Sequence, residues 1–131
     1  MSRGFGVAAR ARSFRYALRG LALLAREQPN AWIHLAAAGA ACALGLFLDL
    51  PRAGWLWIVA AIAGVLVAET LNSALEALAD AVHPAPHPLV GQAKDLAAAA
   101  VLLAATGAAV IGLLVLGPPL LAWLSSQLAA R

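Results

Sequence analysis

The chain has 131 residues, 63% of them hydrophobic and 11% charged, where a soluble domain carries about a quarter charged residues; with a mean hydropathy of +0.86 it belongs in a membrane. Its formal net charge of +3 gathers toward the N-terminus and gives no reason to expect a nucleic-acid partner. The motifs G-x-x-x-x-G-K-S/T, H-R-D and G-x-G-x-x-G are absent, which excludes the usual soluble kinase designs and leaves any phosphate cradle to helix ends and side chains.

Six of the nine basic residues, Arg3, Arg10, Arg12, Arg15, Arg19 and Arg26, precede the first long apolar stretch. Over residues 12–27, Arg12, Arg15, Arg19 and Arg26 share one helical face, while Phe14, Leu18, Leu21 and Ala25 take the other. This is the pattern of a basic amphipathic helix lying in the headgroup region, and it lacks the apolar core of a signal peptide. Residues 28–48, 53–68 and 96–130 contain no Asp, Glu, Lys or Arg. A span needs about 20 mostly apolar residues, so three transmembrane helices are predicted, over about residues 32–50, 54–81 and 92–116. Pro51, Pro84, Pro86, Pro88, Pro118 and Pro119 mark the breaks. The connections are short, so residues 1–131 are expected to form one all-α, membrane-embedded domain. The positive-inside rule puts the N-terminus and the loop at residues 82–91 in the cytoplasm, and the Leu50-Pro51-Arg52 turn and Arg131 outside. Trp32, Trp55, Trp57 and Trp123 fall near span ends, as interfacial anchors do. Cys42 has no partner and reads as a small core residue.

The second span ends in E-T-L-N-S-A-L-E-A-L-A-D, residues 69–80. Offsets of three, seven and eleven positions return Glu69, Asn72, Glu76 and Asp80 to one helical stripe. Ionisable groups at membrane depth cost a few kcal/mol or more each, so such a cluster needs a metal ion, water or substrate opposite it. The stripe is therefore a candidate functional site at the cytoplasmic boundary. Asp80, at the helix end, reads as a solvated residue outside that site. His34, near the start of the first span, reads as packing at headgroup level, and His83 receives no role.

From A-E-T-L-N-S-A-L-E-A-L-A-D, through H-P-L-V-G-Q-A-K-D-L-A-A-A-A-V-L-L, and back to S-F-R-Y-A-L-R-G and Q-P-N-A-W-I-H-L-A-A-A, the chain resembles the small bacterial diacylglycerol kinase and undecaprenol kinase family. The resemblance implies a homotrimer of three-span subunits with an N-terminal surface helix, in the bacterial inner membrane. It implies transfer of the ATP γ-phosphate, with Mg2+, to the hydroxyl of a membrane lipid. The acceptor is diacylglycerol or undecaprenol, and the I-H-L-A-A-A stretch looks closer to the undecaprenol branch. By this resemblance Glu69 is the general base, Asn72 orients base or substrate, and Glu76 binds magnesium. Lys94 and Asp95 match the family's K-D pair and serve both phosphate binding and positioning, while His87 and Tyr16 belong to the nucleotide pocket.

Two positions depart from the family. A second metal-binding glutamate is replaced by Gln28, with Glu27 beside it, and a nucleotide-binding arginine aligns on Ala9, with Arg10 beside it. An amide oxygen ligates magnesium without bringing charge, so Gln28 and Glu27 are both candidate ligands and Arg10 a candidate nucleotide contact. The rival reading is a small oligomeric proton-coupled transporter or channel using Glu69, which predicts a carboxylate near the bilayer midplane rather than several toward one end.

Overall fold

The computed structural model describes residues 7–130, without the side chains of Ala8 and Glu27; Arg3 and Arg131 lie outside the described residues. Four helices follow in order: α1 (Val7–Glu27), α2 (Pro29–Phe47), α3 (Arg52–Val82) and α4 (Pro88–Ala129). Three of them, α2, α3 and α4, are long and apolar enough to cross a membrane. The protein is thus a multi-pass membrane helix bundle. Many large apolar side chains, among them Leu102, Leu103, Leu113 and Leu114, are exposed on the single chain, as lipid-facing or copy-facing surfaces are.

α1 begins at Val7, five positions before the predicted start. Its apolar row, Phe14, Leu18 and Leu21, stays exposed while Leu24 is buried, so the helix touches the bundle only near its end. Gln28 then breaks the path with φ −112° and ψ 102°. The following Pro29 forces this, because a proline disfavours helical geometry in the residue before it and suits the first turn after it. α2 accordingly starts three residues ahead of the predicted span.

The predicted first span ran to residue 50, but α2 stops at Phe47. Asp49 takes a left-handed φ of 50°, and the Leu50 N–H returns to the Gly45 carbonyl at 2.9 Å. Leu50 is folded back over Gly54, where an added Cβ would stand 2.7 Å from its Cγ. It forms a small core with Ile58 and Leu116, walled by Ala41, Leu44 and Trp55.

α3 and α4 make the most extensive helix contact, as an antiparallel pair joined by residues 83–87. The predicted break at Pro118 and Pro119 does not occur, since both lie inside α4. Each proline removes one hydrogen bond, to the carbonyls of Leu114 and Val115, but leaves φ helical. The continuation is held from outside the helix: Trp123 meets Phe47 of α2 edge-on at 5.2 Å. The stretch after Pro119 is therefore part of α4.

Candidate active site

Along the acidic stripe, burial falls steadily toward the α3–α4 loop. Glu69 is 2% exposed and Asn72 9%, Glu76 is half-buried and Asp80 is exposed. The stripe holds because 3.6 residues per turn keep these positions on one face, and that face is turned toward α2 and α1. Glu69 lies 17 positions beyond Arg52, about 26 Å along an axis crossing a core about 30 Å thick. The carboxylate thus belongs near the loop-side boundary of the bilayer and not at its midplane.

The hydroxyls between the acids are occupied locally. Thr70 Oγ1 donates to the Leu66 carbonyl at 2.7 Å and Ser73 Oγ to the Glu69 carbonyl at 2.9 Å. Asn72 Nδ2 donates to Glu76 Oε1 at 3.1 Å, which fixes that carboxylate from the buried side. Asn72 Oδ1 is buried with no hydrogen-bond partner. Glu69 Oε2 faces His34 Nε2 of α2 at 4.0 Å.

Two grooves flank the lower stripe. The first, about 320 Å³, lies between α1 and α3, and its walls include Gly20, Leu24, Gln28, Ser73 and Glu76. The second, about 610 Å³, lies under the α3–α4 loop and includes His83, His87, Gly91 and Lys94. Asp80 lines both, so they share a wall. Lys94 Nζ donates to Asp80 Oδ1 across that wall. His87 caps α4 by accepting from the Leu89 N–H at 3.2 Å, and its ring stands 5.0 Å from that of His83.

The structure therefore brings Glu69, Asn72 and Glu76 together, sets Gln28 opposite Glu76, and gathers His87 with Lys94. Asp95, Arg10 and Tyr16 are exposed and line neither groove within one chain; the Arg15 guanidinium stands over the Tyr16 ring at 5.9 Å. Glu27 closes α1, and its side chain lies outside the described residues. Asp80 is solvent-exposed, as expected of a helix-end residue, and is also the partner of Lys94, while His34, expected only to pack, faces Glu69. The signal for His34 was present: it is the one ionisable side chain apart from Cys42 in the apolar run 28–48, and such residues are functional by default.

The site suits a hard cation. Among the described residues no three His, Cys, Asp or Glu side chains gather into a cage. Magnesium is commonly held by one or two carboxylates together with water and substrate phosphates. The Glu76 carboxylate, the Gln28 amide oxygen across the groove and the unpartnered Asn72 Oδ1 are donors of that kind.

Comparison with known proteins points to one family. A family model described as prokaryotic diacylglycerol kinase matches residues 15–116. The undecaprenol kinase of Bacillus subtilis is 38% identical over 109 residues, covering 83% of this chain and 89% of that protein. A diacylglycerol kinase of Synechocystis is 38% identical over 110 residues, 83% of this chain and 63% of its own length. The diacylglycerol kinase of Escherichia coli is 36% identical over 64 residues, 49% of this chain and 52% of that protein. With a match across the whole acidic stripe, both grooves and the bundle around them, the chain belongs to the prokaryotic diacylglycerol kinase family of lipid kinases.

Proposed function

We propose that this protein transfers the γ-phosphate of ATP, with Mg2+, to the hydroxyl of a membrane lipid at the cytoplasmic face, with Glu69 as general base. The acceptor is undecaprenol, giving undecaprenyl phosphate, or diacylglycerol, giving phosphatidic acid. The near full-length likeness to a protein named undecaprenol kinase favours the first. The observation that carries the reading is a carboxylate only 2% exposed, one to two turns above an Asn–Glu pair that opens onto a groove.

A lipid alcohol is a poor nucleophile, so transfer needs a base, in-line positioning and neutralisation of phosphate charge. Glu69 takes the hydroxyl proton as the oxygen bonds to the γ-phosphorus, and the bond from that phosphorus to the bridging oxygen of ADP breaks. Glu76 and Gln28 would hold the magnesium ion, with Glu27 as a further donor. Bound there, the ion supplies positive charge to the phosphates. Asn72 keeps Glu76 turned toward the groove through its Nδ2–H. Lys94, anchored by Asp80, supplies a point charge to the phosphates, and His87 borders the same space. Asp95, Arg10 and Tyr16 complete the nucleotide site when copies associate as a homotrimer. The N-terminal arginines place this end in the cytoplasm, where ATP is available, in the bacterial inner membrane. A proton-coupled transporter has no use for the two grooves beside the stripe.

The test is transfer of labelled γ-phosphate to undecaprenol and to diacylglycerol in mixed micelles. Glu69→Gln and Glu76→Gln are each expected to lose at least about 10²-fold in rate. Undiminished transfer in both variants, or none to either lipid from the wild type, would sink the reading.

A further inference from the structure

His34 and Glu69 face each other across 4.0 Å, with side chains 19% and 3% exposed. Direct hydrogen bonds close at about 2.7–3.2 Å, so the two groups are too far apart to satisfy one another. A single oxygen at about 2.8 Å from each atom fits between them in a bent bridge. The Glu69 carboxylate has no other polar partner among the described residues, although the residue is more than nine-tenths buried. A carboxylate so little exposed gains from a hydrogen-bond donor placed in this gap.

The space on the other side of His34 shows where that occupant comes from. A groove of about 300 Å³ runs from His34 between α2, α3 and α4, past Ala38, Ala41, Ile58, Ala105 and Gly112. Every residue along it apart from His34 is apolar, and most are alanine or glycine, which leave room for one hydrocarbon chain. A polar group at one end of an apolar groove matches a molecule with one hydroxyl and a long tail.

We propose that His34 is an acceptor-binding residue: its Nε2–H and Glu69 Oε2 hold the lipid hydroxyl oxygen between them, with the attached chain in the adjoining groove. This rests on the reading of Glu69 as base. His34 donates to one lone pair of the oxygen, the hydroxyl proton points at Glu69, and the second lone pair faces the phosphate. On transfer the proton passes to the Glu69 carboxylate, the new O–P bond forms, and ADP leaves.

Steady-state transfer by His34→Leu and His34→Gln provides the test, with Glu69→Gln alongside. His34→Leu is expected to lose about 10²-fold in kcat/KM for the lipid, the scale of a misplaced reactant, with KM for ATP unchanged. His34→Gln, whose amide N–H reaches a similar position, is expected to recover most of the loss. Wild-type transfer by His34→Leu, equal loss in both variants, or a loss confined to KM for ATP would overturn the proposal. If Glu69→Gln is inactive while His34→Leu is normal, only this inference falls; a fully active Glu69→Gln removes the base reading with it. A measurement on the unaltered protein is independent of variant folding: the His34 ring N–H resonance should shift on adding a long-chain alcohol but not the alkane of equal length. The same response to both would count against it, as would a second copy's helix found in the groove by cross-linking.

Discussion

Lys94 illustrates how much a functional side chain depends on what holds it. A lysine at a helix end samples many rotamers, and its charge reaches a phosphate only if it is aimed there. Here Asp80 aims it, from the last turn of α3 across the loop groove. The pair is solvent-exposed, Asp80 at 67%, and such pairs contribute at most about 1 kcal/mol to stability. Asp80→Ala should therefore leave thermal unfolding in detergent nearly unchanged while raising KM for ATP about fivefold, the equivalent of about 1 kcal/mol in binding. A lowered melting point with an unchanged KM would show that the pair is structural. The spacing of Glu69, Asn72 and Glu76 was legible because one helix generates the stripe by itself. The pairings of His34 with Glu69 and of Asp80 with Lys94 were not, because each contact joins two helices, and no periodicity within one segment encodes how two segments dock.

Among the elements, the turn between α2 and α3 is the tightest piece of construction. Asp49 accepts a left-handed conformation that short polar side chains tolerate, and this lets Leu50 double back into the core. Gly54 makes room, since any Cβ there would overlap the buried Leu50 side chain. Gly54→Val should destabilise the protein by about 1–3 kcal/mol through overpacking. Leu50→Ala in the same chain should recover part of that loss, because the two changes act on one space. Reversible unfolding in micelles, run as a double-mutant cycle, measures this; additive losses would mean the crowding is absent. The three spans and the surface helix were legible from charge-free runs and amphipathic period. Their ends were less so. Pro118 and Pro119 read as a stop by local rules, yet α4 passes through them because the Phe47–Trp123 contact rewards continuation, a tertiary term invisible to local propensity.

Across the whole molecule the two ends have separate tasks. The turn end holds the packed cluster of Leu50, Ile58 and Leu116, and the loop end holds the carboxylates, the lysine and both polar grooves. α3 spans both, and its 11 residues from Ile58 to Glu69 correspond to about 16 Å, beyond the roughly 7–10 Å over which substitutions usually couple. Composition alone made this division legible, since the acids lie in the loop-side half of α3 and the aromatic and leucine-rich residues flank the other turn. Leu116→Ala tests whether the division is energetic as well as geometric. Leu116 is 8% exposed and lines none of the three grooves, so its truncation should cost about 2–5 kcal/mol by leaving a cavity. At a temperature where the variant remains folded, KM for ATP and the rate of transfer should match the wild type. A changed KM with intact folding would mean that the core at one end of α3 sets the geometry of the acids at the other, through a helix acting as a rigid rod.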